Sequence, residues 1–313
     1  MLEDIPRISV RIITYNQEDV IERTLKSLIL QEDYIYEICI NDDCSKDGTW
    51  AILKKYANDY PNLIKPFQNP QNLGIFQNIE ESFKHLSGDL IYGISGDDEC
   101  PPDCFKKIID FIRDNNIDVN KRICIYGDCV FVYPNGKRIM HTNELLLRFT
   151  DVLSLKIRGL LSVYGSCYSR SVADAFHLLS KGRSYVVEEA QDDQRVIFTE
   201  SNYYLPICCY IYYAEYGVSS NMSIKRRQER VGMYDYLLDF LSSVDVKLKW
   251  SDLNYLHYRT AYLQYGVTGK KKYLLKAFVY YLGSVNLRYG IRGLEISRFW
   301  NQLQRRKVKQ NGK

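Results

Sequence analysis

No apolar run in this 313-residue chain approaches the roughly 18 residues a membrane-spanning helix needs. The longest candidate, residues 205–214, reads as a buried strand. The opening Met-Leu-Glu-Asp-Ile-Pro-Arg has neither the basic patch nor the apolar core of a signal peptide, which points to the cytoplasm. Nine cysteines are present but no Cys-x-x-Cys. No histidine stands beside Cys100/Cys104 or Cys124/Cys129, so buried reduced thiols are expected rather than zinc. The four histidines are scattered and form no triad. There is no internal repeat and no low-complexity linker. With 46% hydrophobic and 26% charged residues the composition is globular, which excludes a disordered tail, a collagen-like fibre and a small disulfide scaffold. Tyrosine, at 27, is the one conspicuous surplus.

The net charge of +4 hides an asymmetry. Residues 1–220 carry 23 Lys+Arg against 32 Asp+Glu, whereas residues 221–313 carry 19 against 6. A domain over 1–222, divided into halves 1–115 and 116–222, followed by a basic helical region over 223–313, fits that shift. Lys270–Lys272, Arg288, Arg292 and Arg305–Lys307 lie among Tyr273, Leu274, Leu275, Phe278, Tyr281, Phe299 and Trp300. This basic amphipathic stretch suits an anionic membrane surface, or equally a packed helical tail with a charged outer face.

Ile8–Ile13 is a β-branched run that predicts a strand, and Asn16 offers an N-cap for a helix with apolar residues at Val20, Ile21, Leu25 and Leu28. Strands at 37–40, 64–67 and 90–94 alternate with helices near 50–60 and 74–86, and a further helix opens at Pro101-Pro102. Four alternations predict an α/β fold: a mostly parallel central sheet flanked by helices. A hairpin is expected around Pro134-Asn-Gly136, a strand at 202–213, and helices from Tyr234 onward. Polar clusters at Thr14–Asn16, Asp42–Thr49 and Ser95–Glu99 each follow a strand, so all three converge on one rim, where open sheets bind ligands.

Asp97 and Asp98 offer hard oxygen ligands for Mg²⁺ or Mn²⁺ shared with a diphosphate, or else an N-cap for the next helix. Gly96, just before them, allows close backbone approach to a ligand. Asp42 or Asp43 would accept from a base or ribose, with Asp47-Gly48 making the turn. Glu188, Glu189, Asp192 and Asp193 form an acidic cluster that reads either as a poised general base or as a solvated helix start.

These motifs, taken in order, resemble the family 2 glycosyltransferases, which have the GT-A fold of nucleotide-diphospho-sugar transferases. Ile8-Ser-Val-Arg-Ile-Ile-Thr-Tyr-Asn16 resembles the opening strand and nucleotide loop, and Ile40-Asn-Asp-Asp-Cys-Ser-Lys-Asp-Gly-Thr49 the second. Asn72-Leu-Gly74 with Asn78, then Gly88-Asp-Leu-Ile-Tyr-Gly-Ile-Ser-Gly-Asp-Asp98, resemble the approach to the metal motif. The resemblance covers about residues 5–220. It implies transfer of one sugar, with inversion, from a nucleotide-diphosphate donor such as a UDP-sugar to a glycan or lipid-linked acceptor in surface polysaccharide synthesis, with no nucleic acid involved. It places Thr14, Tyr15, Asn16, Asp42 or Asp43, Asn72, Gly74, Asn78, Ser95 and Gly96 around the nucleotide. Asp97 or Asp98 falls at a Mn²⁺ or Mg²⁺ ion, and Asp193, with Asp192 or Glu189 as alternatives, is the base. Ser95 stands where the family's metal motif begins with Asp, Asp192 where it has Glu, and Tyr212-Tyr-Ala-Glu-Tyr216 where relatives carry Arg-x-His. A non-catalytic nucleotide-sugar or glycan-binding module is the competing reading. A sugar-nucleotide pyrophosphorylase would need a glycine-rich, basic phosphate loop, and Thr14-Tyr-Asn-Gln17 is not one.

Overall fold

The computed structural model describes residues 5–180, 189–214 and 224–284. The chain divides into two compact units, 1–233 and 234–313, a boundary eleven residues beyond the one the charge shift suggests.

The first unit is built on an eight-stranded mixed sheet. Its parallel part comprises β1 (Ile8–Thr14), β2 (Glu37–Asp42), β3 (Ile64–Gln68) and β4 (Leu90–Ser95), linked by α1 (Ile21–Ile29), α2 (Thr49–Asp59) and α3 (Ile75–Phe83). After α4 (Cys104–Asp114) come the β5 (Ile123–Val132) and β6 (Arg138–His141) hairpin, α5 (Val152–Ile157), β7 (Cys167–Ser169), α6 (Arg170–Ser180), α7 (Glu189–Phe198) and the long β8 (Ser201–Tyr213). The order is β3-β2-β1-β4-β7-β5-β6, with β8 parallel to β5. β7 runs antiparallel between β4 and β5 and joins the two halves.

Alternation along β1 sorts its side chains. Ile8, Val10 and Ile12 are fully buried and share one core cluster with Ile21, Leu25 and Leu28 of α1. Ser9, Arg11 and Ile13 face the other side. In register, Thr14 lies beside Asp42 and Ile13 beside Ser95, so the ends of β1, β2 and β4 are level and their loops share one rim.

Two helix starts differ from the sequence expectation. Asn16 is not an N-cap: its φ is 51°, and α1 begins at Ile21. Asparagine tolerates this left-handed conformation, and its side chain is spent on the neighbouring loop. Pro101-Pro102 does not open α4 either, because that helix starts at Cys104 with Asp103 as N-cap residue. Asp97 and Asp98 are therefore not capping residues.

The second unit contains the later part of α8 (Ile224–Ser243), α9 (Trp250–Thr268) and α10 (Lys271–Gly283). Gly269, with φ 67°, ends α9, and Tyr258 of α9 packs edge-on against Tyr281 of α10 at 5.4 Å. Arg288, Arg292, Phe299, Trp300 and Arg305–Lys307 lie outside the described residues.

Candidate active site

A cavity of about 640 Å³ opens at the rim of the first unit. Thr14, Tyr15, Asn16, Asp43, Asn72, Gly74, Asn78, Ser95, Asp97, Asp98 and Asp192 all line it, although up to 178 positions separate them in the chain.

The loops after β1 and β2 are tied together by their own polar groups. The Asn16 N–H donates to Ser45 Oγ at 2.8 Å, and Asn16 Oδ1 accepts from the Lys46 N–H at 2.8 Å. The Gln17 N–H donates to Thr49 Oγ1, also at 2.8 Å. Asp47 accepts from the Thr49 N–H and hydroxyl and makes the expected turn. The Asp43 carboxylate accepts from the Leu73 and Gly74 N–H groups and from Asn69 Nδ2, each at 2.8 Å, and so anchors the loop that carries Asn72. Asn78, 2% exposed, closes a buried amide network with Asn41 and Asn69.

Asp42 and Gly96 do not line the cavity. Strand alternation turns Asp42 away, and its carboxylate accepts from Ser45 and from Gln68 Nε2 at 2.7 Å. Of the Asp42/Asp43 pair, only Asp43 faces the cavity. Gly96 makes room for the protein rather than for a ligand. A Cβ there would run into the Gln17 side chain and lie 2.9 Å from Ile21 Cδ1 and 3.0 Å from Thr14 Oγ1.

Asp97 and Asp98 are 7% and 1% exposed. Burial raises the Asp97 carboxyl. Burial and the adjacent Asp97 push Asp98 up to about 7. β8 supports the pair from over a hundred residues away. Tyr210 OH donates to Asp98 Oδ2 at 2.6 Å and accepts from the Ser95 N–H at 3.2 Å, while the Tyr213 N–H donates to Asp98 Oδ1 at 2.8 Å. Tyr213 OH donates to Glu99, which pairs with Arg23 at 3.1 Å. Two buried carboxylates with raised pKa values are a donor set that a divalent cation would relieve. Among the described residues no three His, Cys, Asp or Glu form a metal cluster, so a bound cation would depend on ligand oxygens to complete its shell.

Elsewhere in the lining, Asp192 accepts from Arg195 Nη2 at 2.7 Å and lies 3.6 Å from Lys156 Nζ. Glu188 lies outside the described residues, as do the side chains of Glu189 and Asp193. Arg11, Arg195, Tyr164, Tyr210 and Tyr212 complete the walls. The Tyr164 ring packs at a tilt, 5.4 Å from Tyr210 and 5.3 Å from Tyr212, which gives part of the tyrosine surplus a place. Sequence reasoning missed Tyr210 and Arg11 because both sit inside runs that read simply as strand.

The glycosyl transferase family 2 model matches residues 9–173, more than half of the chain. This chain belongs to glycosyl transferase family 2. The putative glycosyltransferase EpsE of Bacillus subtilis is 33% identical over 108 residues, covering 34% of this chain and 39% of EpsE. The dTDP-rhamnosyl transferase RfbG of Shigella flexneri is 30% identical over 129 residues, covering 40% and 43%. This family 2 chain thus matches about two fifths of each of these curated relatives. Among solved structures, S. aureus TarS 1–349 in complex with UDP-GlcNAc superposes with a TM-score of 0.58 at 17% identity, covering 88% of this chain and 89% of that one. Mannosyltransferase PcManGT from Pyrobaculum calidifontis, in complex with GDP-Man and Mn²⁺, gives 0.55 at 16% identity over 96% and 84%. At these identities the likeness shows the GT-A fold.

Proposed function

We propose that this chain is a glycosyltransferase that moves one sugar, with inversion, from a nucleotide-diphosphate sugar to a glycan or lipid-linked glycan acceptor in surface polysaccharide synthesis. One observation carries the reading: a single cavity gathers the loops after β1 and β2, the Asp97-Asp98 pair and the start of α7. RfbG and the abequosyltransferase RfbV of Salmonella typhimurium, both named as sugar transferases, support the reaction class. The UDP-GlcNAc complex of TarS supports a UDP-sugar as donor.

Thr14–Asn16, Asp43 and Asn72 would hold the nucleoside. Asp97 and Asp98 would hold a Mn²⁺ or Mg²⁺ ion, which when bound offsets charge on the departing diphosphate. Inversion needs one in-line displacement, so the base takes the acceptor's hydroxyl proton on the face of the sugar away from the diphosphate. α7 is contributed by a separate part of the chain and suits that role. Asp192 is already committed to Arg195 and Lys156, which makes it the residue that positions the start of α7. Asp193, the next residue on that helix, is the candidate base. Asp193→Asn should lower kcat by about 10²–10⁴-fold and leave donor affinity unchanged. Turnover that survives the change refutes the assignment, and a wild-type protein that binds donor but never turns over favours the binding module.

A further inference from the structure

Arg11 is an arginine in the middle of a core strand, and no described residue accepts a hydrogen bond from its side chain. Among the described residues no acceptor bonds its guanidinium, its Nε is shut off from solvent without a partner, and burial lowers its pKa. The guanidinium rests 4.9 Å from the Phe83 ring centre. Its space exists because Gly93 is its partner across the β1–β4 pairing: a Cβ at Gly93 would lie 2.9 Å from Arg11 Nη2. Arg195 stands close enough to oppose its charge and rests in the same way, 4.9 Å from the Tyr168 ring centre. Its Nε is also buried without a partner. A guanidinium stacked on a ring keeps its in-plane N–H donors free for a planar anion. Arg11 and Arg195 bring two positive charges to the cavity wall, Lys156 adds a third beside Asp192, and of the described carboxylates Asp192 is the one set against them. Leaving such a charge surplus under partial burial is costly without an anionic ligand.

The pair is set back from the diphosphate end. Arg11 lies three residues, roughly 10 Å, down β1 from Thr14, and its neighbour Gly93 is four residues before Asp97. We propose that Arg11 and Arg195 form an anion pocket that holds a carboxylate on the transferred sugar, so that the donor is a nucleotide-linked uronic acid or a similar acidic sugar. This rests on the cavity being the donor site, as proposed above.

The test is equilibrium binding to the full-length protein, with Mn²⁺ present, in uridine and guanosine series. Each series compares the nucleoside diphosphate, its neutral hexose and the matching hexuronate. The expected result is a hexuronate bound at least tenfold more tightly than the hexose. Arg11→Gln should abolish that preference and Gly93→Ala should reduce it, with both variants binding the bare diphosphate like wild type. A glucuronate-ended oligosaccharide, titrated onto protein loaded with diphosphate, asks whether the carboxylate arrives on the acceptor instead. Arg11-dependent binding in that arm alone assigns the pocket to the acceptor and overturns the donor assignment. No preference in either arm overturns the pocket. So does an Arg11→Gln variant that loses affinity for the bare diphosphate by the same factor, since the pair would then serve the phosphates. Failure of every nucleotide to bind wild type refutes the donor site itself, a separate outcome.

Discussion

Asp98 shows how one side chain's surroundings set its chemistry. An ordinary carboxyl ionises near 3.9, but burial and Asp97 hold Asp98 near 7. Between about pH 4 and pH 7 the folded chain keeps a proton that the unfolded chain has lost. This carboxyl therefore costs stability as pH rises through that window, and the cost is complete above it. A cation must displace the same proton, so apparent Mn²⁺ affinity in the presence of a nucleoside diphosphate should climb from pH 6 to pH 8. Tyr210 opposes the shift by bonding the ionised form, a bond to a charged group worth about 1.5–3 kcal/mol. Tyr210→Phe should move the climb to higher pH. The nucleotide's own ionisation is common to both proteins, so the readout is the difference between the two profiles, and superimposable profiles would contradict the role given to Tyr210.

At the scale of elements, α10 carries two apolar faces. Ala277 and Tyr281 are buried, while Leu275, Phe278, Val279 and Leu282 are 48–66% exposed at helical spacing, beside Lys271, Lys272 and Lys276. An apolar stripe flanked by lysines fits an anionic lipid surface, where each lysine contributes about 1 kcal/mol. A contact between this helix and anionic lipid has a direct test. The full chain should co-sediment with phosphatidylglycerol vesicles at low salt, not with phosphatidylcholine alone, and Leu275→Ser with Phe278→Ser should weaken binding at least fivefold. Because both residues are exposed, fold loss would not explain a decrease. Binding unchanged by the double substitution would refute the contact. β1 to β4 were legible because their β-branched runs and the polar residues that follow them are contiguous. The hairpin at Pro134-Asn-Gly136 was legible for the same local reason. The starts of α1 and α4 were not, because Asn16 and Pro101 carry cap-like residues whose loops are held by distant partners. Asp42 and Asp43 are identical side by side, and only the alternation of β2 separates the structural one from the one in the cavity.

For the whole molecule, the candidate site was legible wherever its residues are neighbours in sequence, and lost wherever the sheet brings them together. The three rim clusters follow their strands directly. Tyr210 reaches Asp98 across 112 positions, and Arg11 meets Arg195 only through the packing of α7, so neither carries a local signal. No helix among the described residues is long and apolar enough to cross a membrane. The proposed ligands of the rim cavity are a nucleotide-diphosphate sugar and a divalent cation. The deciding experiment is thermal unfolding of the full chain with a series of nucleoside diphosphates and nucleotide sugars, each with Mn²⁺ or with chelator, alongside Asp97→Asn. A ligand at a hundred times its dissociation constant adds about 2.7 kcal/mol, a rise on the order of 5–10 °C for a chain of this size. The expected result is that rise for one nucleotide series, with Mn²⁺ and not with chelator, and its loss in Asp97→Asn. A wild-type protein whose melting temperature no nucleotide moves would contradict it.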